Sequence, residues 1–344
     1  MAEKTINIID VTVQKGGFLV HNHLLKEQVS EIAKGLEDAG VEYMELSHGR
    51  GIGAKRAGYP AIFPDHELLE AATLAASKLK FLVYASPYAY SLFELEKVKQ
   101  YCDWIRLSVD LDDLEKGVEN LQSIERSGVK AMVLLERAHR VSPKVCAEAA
   151  KKLEGNGARI VYLCDTFSSM SASDVQAYLG EIREQSRLPL GFQAFNATGQ
   201  AAGNSLAALR SGVEWLDASL LGLGLSGGMA SYEILVVLLQ RLGYPKKWDL
   251  QQLCRAGRWH ALPAIRRLPS IRHIDLVMSR LKLDYYPLEF LERLAGILEV
   301  DLETMLEEIG AQAPERIRLK EADIRSYLQK HGIEFDVVVE FMKT

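Results

Sequence analysis

Short apolar runs rich in β-branched residues alternate along the chain with longer stretches of helical period. The runs are INIIDVTV, EYMELS, KFLVYAS, WIRLSVD, KAMVLLER, RIVYLCD, LPLGFQAF and WLDASLLG. Each is short enough for a strand and apolar enough to be covered on both faces, as strands of a parallel sheet are. Between them lie amphipathic segments such as KEQVSEIAKGLEDAG, where Val29, Ile32 and Leu36 fall three to four residues apart on one helix face. HELLEAATLAASK, LEKGVENLQSIERSG and PKVCAEAAKKLEGNG repeat that pattern, and Gly40, Gly128 and Gly157 stand between helix and strand, where a C-terminal cap is needed. Eight such units ending near residue 242 predict an α/β fold, a closed parallel (β/α)8 TIM barrel. The competing topology is an open doubly wound sheet, but no GxGxxG follows the first strand.

After Gly243 the rhythm changes. Residues 245–282 carry nine Lys or Arg against two Asp, and helical periods then take over in LEFLERLAGILEV, DLETMLEEIG and EADIRSYLQKHG. The expected organisation is a barrel over 1–243 and a C-terminal helical domain over 244–344, placed to close over the barrel mouth. The basic stretch reads either as a solvated face or as a docking surface for an acidic partner or anionic substrate.

Composition narrows the class of function. With 344 residues, 48% hydrophobic and 25% charged, the chain can bury a full core, and a net charge of −5 gives no reason to expect nucleic acid or membrane as a partner. Four cysteines without CxxC spacing (Cys102, Cys146, Cys164, Cys254) argue against a disulfide framework or structural zinc. No signal peptide or run of about 18 apolar residues stands out, so the expected location is the cytoplasm.

Barrel chemistry sits at the carboxyl ends of the strands. Read in order, those ends offer Gln14 and Lys15, Glu45 with Ser47 and His48, Tyr84 with Ser86, Arg106 with Ser108, Glu136 with Arg137, and Asp165 with Thr166. Gln193, Phe195 and Asn196 end the seventh strand, and Asp217 with Ser219 the eighth. The loop LGLGLSGGMASYE, which contains Gly224, opens the next helix with backbone N–H groups that could cradle an anion. Arg106 and Arg137 suit a carboxylate clamp, although barrel arginines also serve in structural ion pairs.

ELSHGRGIG after the second strand, GNSLAALRSGVEWLDASLLGLG around the eighth, and GGMASYEIL resemble the metal-dependent 4-hydroxy-2-oxovalerate aldolases. Those belong to the superfamily of hydroxymethylglutaryl-CoA lyase and isopropylmalate synthase. The resemblance covers the barrel and, more faintly, the C-terminal helices, which in the aldolases help contact an acylating aldehyde dehydrogenase. It implies an Arg-Asp-Gly ending the first strand, whose Asp binds a divalent metal and whose Arg steadies an enolate. Here those positions read Gln14, Lys15 and Gly16, and the family's base histidine falls on Phe18. Its metal-binding His-x-His-Asn appears as Gln193, Phe195 and Asn196, and the asparagine of its late glycine-rich loop as Met229. Lys, amide and Phe make no site for a divalent ion, so neither metal nor other cofactor is expected. His21 and His23, in VHNH, have ligand spacing but lie in the loop after the first strand, away from any position the resemblance marks.

Three readings of Lys15 remain open. A desolvated amine is a nucleophile that forms a Schiff base with a carbonyl substrate; a fixed ammonium replaces the missing positive charge beside an enolate; or Lys15 is a non-catalytic residue in a retired site. His48 is retained from the family motif, which points to a substrate or supporting role. Asp165 either pairs with Lys15 across the mouth or caps the next helix. Tyr285 and Tyr286 lie near where the aldolases carry a tyrosine acid, with Tyr286 the candidate. The function expected is an aldolase-like lyase or condensing enzyme for a small 2-oxo acid or related carbonyl compound, with Lys15, Gln14, His48 and Tyr286 as catalytic residues. Gln193, Asn196, Asp165, Arg106, Arg137 and Gly224 are the expected substrate contacts. The alternative is a non-catalytic homologue that binds a ligand or partner subunit. The expected assembly is a homodimer, with a dehydrogenase-like partner through the C-terminal helices as a second possibility.

Overall fold

The eight apolar runs become eight strands: β1 (Asn7–Asp10), β2 (Tyr43–Glu45), β3 (Lys80–Ala85), β4 (Trp104–Asp110), β5 (Lys130–Glu136), β6 (Ile160–Asp165), β7 (Leu190–Ala194) and β8 (Trp215–Ala218). Each pairs in parallel with its sequence neighbour, and β1 closes onto β8 with Ile8 opposite Leu216. The computed structural model describes residues 5–87, 89–245, 247–283, 288–312 and 321–335. Two apolar layers hold the barrel. Val29, Ile32 and Leu36 of the helix Lys26–Asp38 pack with the outward faces of the strands, while Ile9, Leu82, Met132, Leu134 and Tyr162 fill the interior. Gly40 and Gly128 end their helices at φ 79° and 83°, a backbone that residues with a Cβ seldom adopt. At Gly191 an added Cβ would overlap the ring of Tyr162, which lies fully buried across the barrel interior.

The first strand is shorter than its composition suggests. Val11, Thr12 and Val13 favour an extended chain, yet β1 stops at Asp10 and Thr12–Gly16 forms a helical turn. The cause is the buried Asp10 carboxylate, which accepts both the backbone N–H (3.0 Å) and the hydroxyl (2.7 Å) of Thr12. This local bond offers the backbone an alternative to the sheet. The Thr12 hydroxyl in turn accepts from the N–H of Leu220, pinning the turn to the end of β8. Gln14 and Lys15 therefore project from a helical turn rather than from a strand.

The C-terminal segment packs in two parts. Leu253, Ala256, Ala261 and Ile265, from the helices Leu250–Ala256 and Leu262–Ile265 and the π-helical turn between them, belong to the outer layer of the barrel. A second core begins at Ile274 and includes Met278, Leu291, Leu294, Leu306 and Leu328. Packing thus passes from one core to the other between Ile265 and Ile274, later than the change of sequence rhythm at Gly243. Ser279 reaches back from the second core to donate a hydrogen bond to the carbonyl of Ser168 (3.1 Å). None of the described helices is long and apolar enough to cross a membrane.

Candidate active site at the barrel mouth

Two cations occupy the barrel, and their surroundings differ. Arg106, on β4, is wholly buried and donates to Glu45 (2.8 Å) and Asp217 (2.6 Å), with its guanidinium 4.6 Å from the centre of the Tyr162 ring. Burial works against its charge, but the carboxylates of Asp217 and Glu45 outweigh that and hold it ionised. Burial also pushes the Glu45 carboxyl up, against the pull of Arg106 and Lys15. Gln193 donates to the same Asp217 at 2.5 Å. This network spans β2, β4, β7 and β8 and knits the interior together.

Lys15 lies above it, 6% exposed. Its ammonium sits 5.4 Å from the centre of the Tyr84 ring and 5.1 Å from that of Phe195, and among the described residues it makes no hydrogen bond or ion pair. The quadrupole of two aromatic faces holds a cation there without consuming its three donors. Lys15 opens into a cavity of about 210 Å³ that also takes in Tyr84, Glu136, Arg137, Thr166 and Phe195. The Tyr84 hydroxyl donates to Glu136 at 2.8 Å. Burial and the nearby Glu136 charge hold that phenol well above its ordinary pKa, so it stays a donor. Arg137 sits in left-handed backbone (φ 57°), donates its N–H to Thr166 (3.1 Å) and faces Asp110 at 3.2 Å.

Of the residues expected at the site, the cavity gathers Lys15 and Arg137. Arg106 and Gln193 lie below it, locked to Asp217, and cannot clamp a carboxylate without abandoning buried counter-charges. Gln14 donates to the carbonyl of Gly49 (2.7 Å) and ties the turn to the loop after β2. His48 is spent on that same loop: its Nδ1 accepts from the N–H of Arg50 (3.0 Å), which leaves Nε2 to donate to the carbonyl of Pro60 (2.9 Å). Asp165 does not reach Lys15. Its carboxylate receives the N–H groups of Ser169 (2.9 Å) and Met170 (3.2 Å), and burial raises its pKa to about 7.

Asn196 and Gly224 belong to a neighbouring loop system. Asn196 donates to the carbonyl of Gly227 (3.3 Å) and accepts from Ala201 (3.1 Å), and Gly224 packs on Met229. In this loop Gly222, Gly228 and Met229 donate their N–H groups to the carbonyls of Ser219, Leu225 and Gly222 and are taken up by the loop itself. Tyr285 and Tyr286 lie outside the described residues. His21 and His23 are exposed, their rings 6.5 Å apart.

Among the cavity residues that sequence reasoning left without a role are Tyr84 and Glu136. Both were visible as strand-end polar groups, but their pairing across 52 positions was not. The metal that the family resemblance implies finds no donor set here. Among the described residues no group of three or more His, Cys, Asp or Glu side chains stands ready to hold an ion. An ammonium, a phenyl ring and an amide already bonded to Asp217 do not fit a divalent cation.

Comparison with known proteins agrees with the fold. A family profile described as HMGL-like matches residues 98–259. The 4-hydroxy-2-oxovalerate aldolase of Moorella thermoacetica is 31% identical over 284 residues, 81% of this chain and 83% of its own length. The oxaloacetate decarboxylase of Mycobacterium tuberculosis is 30% identical over 73% of this chain and 75% of its own. In three dimensions, a carboxyl transferase domain of Rhizobium etli pyruvate carboxylase with pyruvate aligns at TM-score 0.76 and 16% identity, over 97% of this chain and 63% of that one. At such low identity the last likeness speaks to the fold alone. The chain belongs to the HMGL-like family of carbon–carbon lyases that includes the 4-hydroxy-2-oxovalerate aldolases.

Proposed function

We propose that the protein makes or breaks the carbon–carbon bond between the α- and β-carbons of a 2-oxo acid's ketone, and that it does so without a divalent metal, with the Lys15 ammonium supplying the positive charge. The observation that carries this reading is the placement of Lys15: buried at the mouth, clamped between two aromatic faces, and with its donors uncommitted among the described residues. Charge balance supports it. A carboxylate with a divalent ion sums to one positive charge, and so does a single ammonium, so Lys15 restores the charge of the lost metal site, though not that of the family's arginine, which Gln14 replaces.

The remaining parts have separate tasks. Arg137 is placed to receive the substrate carboxylate. The carbonyl oxygen faces Lys15. Glu136, oriented by the Tyr84 hydroxyl, takes the proton of the substrate's β-hydroxyl as the carbon–carbon bond breaks. An aldehyde and an enolate result, and the enolate carbon is then reprotonated. In the condensing direction the same groups run in reverse. Lys15 is read as a fixed cation rather than a Schiff-base amine because its nitrogen stands over two aromatic faces, a setting that holds a cation in place.

The test is a panel of 4-hydroxy-2-oxo acids and 2-oxo acids assayed for pyruvate, aldehyde or condensation product, with borohydride added in parallel. The expected result is turnover that survives chelators, is retained in part by Lys15→Arg and is lost in Lys15→Met, with no reduced adduct on Lys15. A trapped adduct on Lys15 would replace the fixed cation by the Schiff base. Turnover that requires an added divalent ion would overturn the metal-free reading. Absence of turnover across the panel would favour a non-catalytic, ligand-binding homologue.

A further inference from the structure

The mouth has more aromatic wall than a two- or three-carbon substrate can use. Resting on the lyase reading above, we infer that the substrate carries a flat aryl group: an arylpyruvate-type 2-oxo acid or its aldol.

Five rings face the cavity, Tyr84 held by its bond to Glu136 and each of the others by a neighbour. Phe18 lies against Gly49, where an added Cβ would stand only 2.6 Å from the ring. Gly49 is itself tethered at both ends, its N–H to Asn22 (2.8 Å) and its carbonyl to Gln14 (2.7 Å). Tyr59 carries the Arg50 guanidinium 4.6 Å from its ring centre. Phe167 meets His139 edge-on at 4.9 Å, and Phe195 is fixed by Lys15. Rings fixed before the ligand arrives lose little freedom on binding, which favours a rigid planar guest over a flexible chain. Phe18, Tyr59, Phe195 and Leu225 remain only half-buried, so apolar surface at the mouth is left uncovered by protein.

Charge selects among the guests that aromatic walls accept. Such walls also suit quaternary ammonium groups, but the Lys15 ammonium, which makes no ion pair among the described residues, lines this cavity, while Arg137 is paired with Asp110 and the one carboxylate of the lining, Glu136, accepts from Tyr84. A cation would be repelled. A neutral ring joined to a carboxylate satisfies both the walls and the charge.

Calorimetric titration of the full chain with phenylpyruvate, 2-oxohexanoate, pyruvate and benzyltrimethylammonium tests this. Phenylpyruvate is expected to bind roughly ten-fold or more tighter than pyruvate, with 2-oxohexanoate between them and no measurable binding of the ammonium compound. Phe18→Ala and Leu225→Ala should each shrink the advantage of phenylpyruvate over pyruvate several-fold. Circular dichroism reports whether each variant folds, and if Phe18→Ala does not, Leu225→Ala decides. Pyruvate binding as tightly as phenylpyruvate, tighter binding of the ammonium compound, or an advantage unchanged in the folded variants would overturn the inference. The readout is equilibrium binding. Failure here leaves the lyase reading to its turnover assay, whereas tight aryl-acid binding without turnover would remove the lyase reading alone.

Discussion

Arg106 and Lys15 are neighbours in the barrel, and the protein treats them in opposite ways. Arg106 is surrounded by carboxylates and held on two sides, so its charge is consumed by the structure. Lys15 is surrounded by rings that stabilise its charge without engaging its hydrogens. The difference separates a cation that braces the fold from one left available to a ligand. Burial alone does not tell them apart, since both side chains are nearly inaccessible. The nature of the partners does.

The largest expected effect falls on the braced cation. Arg106→Leu leaves Glu45 and Asp217 buried without a counter-charge and should cost about 3–5 kcal/mol of stability, measured by urea unfolding. Adding Asp217→Asn to that variant should recover part of the loss. If Arg106→Leu unfolds at the wild-type midpoint, the contrast between the two cations fails.

Lys15→Met should show the reverse profile. Stability is expected to change by less than about 1 kcal/mol, while turnover falls by about 10²–10³, the usual loss on removing one group that stabilises an oxyanion. A large stability loss with turnover intact would make Lys15 a second brace.

His139 extends the contrast to a neutral group beside the mouth. Burial, together with the charges of Lys282, Arg140 and Arg137, lowers its pKa from 6.5 to about 3, and neither ring nitrogen has a hydrogen-bond partner among the described residues. Below pH 6.5 the unfolded chain takes up a proton that the folded chain refuses. The contribution of His139 to stability is therefore complete above that pH and is lost progressively as pH falls toward 3. His139→Phe should be more stable than the wild type by about 2 kcal/mol at pH 5, with the gap narrowing toward pH 7.5. A gap independent of pH would show that the imidazole titrates normally.

The smallest effect is expected for Tyr84→Phe. The ring that faces Lys15 stays, and only the hydrogen bond to Glu136 goes, worth about 0.5–1.5 kcal/mol. In turnover this should read as a loss of roughly two- to ten-fold, with Lys15→Arg still partly active in the same background.

Much of the barrel was legible because its strands are nearly continuous apolar runs, and burial on both faces demands that pattern wherever they sit. The end of β1 was not. Val11-Thr12-Val13 reads as more strand, and only the Asp10 carboxylate bonded to Thr12 turns the chain into a helix. Of the candidate site residues, Lys15 and Arg137 do line the cavity, and Lys15 reaches it from a helical turn that the sequence pattern did not mark. The partner of Arg106 was not legible, because whether an inward arginine meets a ligand or a carboxylate depends on Glu45 and Asp217, 61 and 111 positions away. His48 illustrates the same limit. Retention within a motif identifies a loop that must be held, and here the imidazole does the holding.

The close approach of Tyr162 to Gly191 has an evolutionary consequence. The phenol ring supports the guanidinium of Arg106 from one side, and it lies flat only because position 191 has no side chain. Any larger residue at 191 must be accompanied by a smaller one at 162, and Arg106 then loses its backing. Among relatives of this chain, the two positions are expected to drift together or not at all, and an aligned set of sequences would show it as paired substitution.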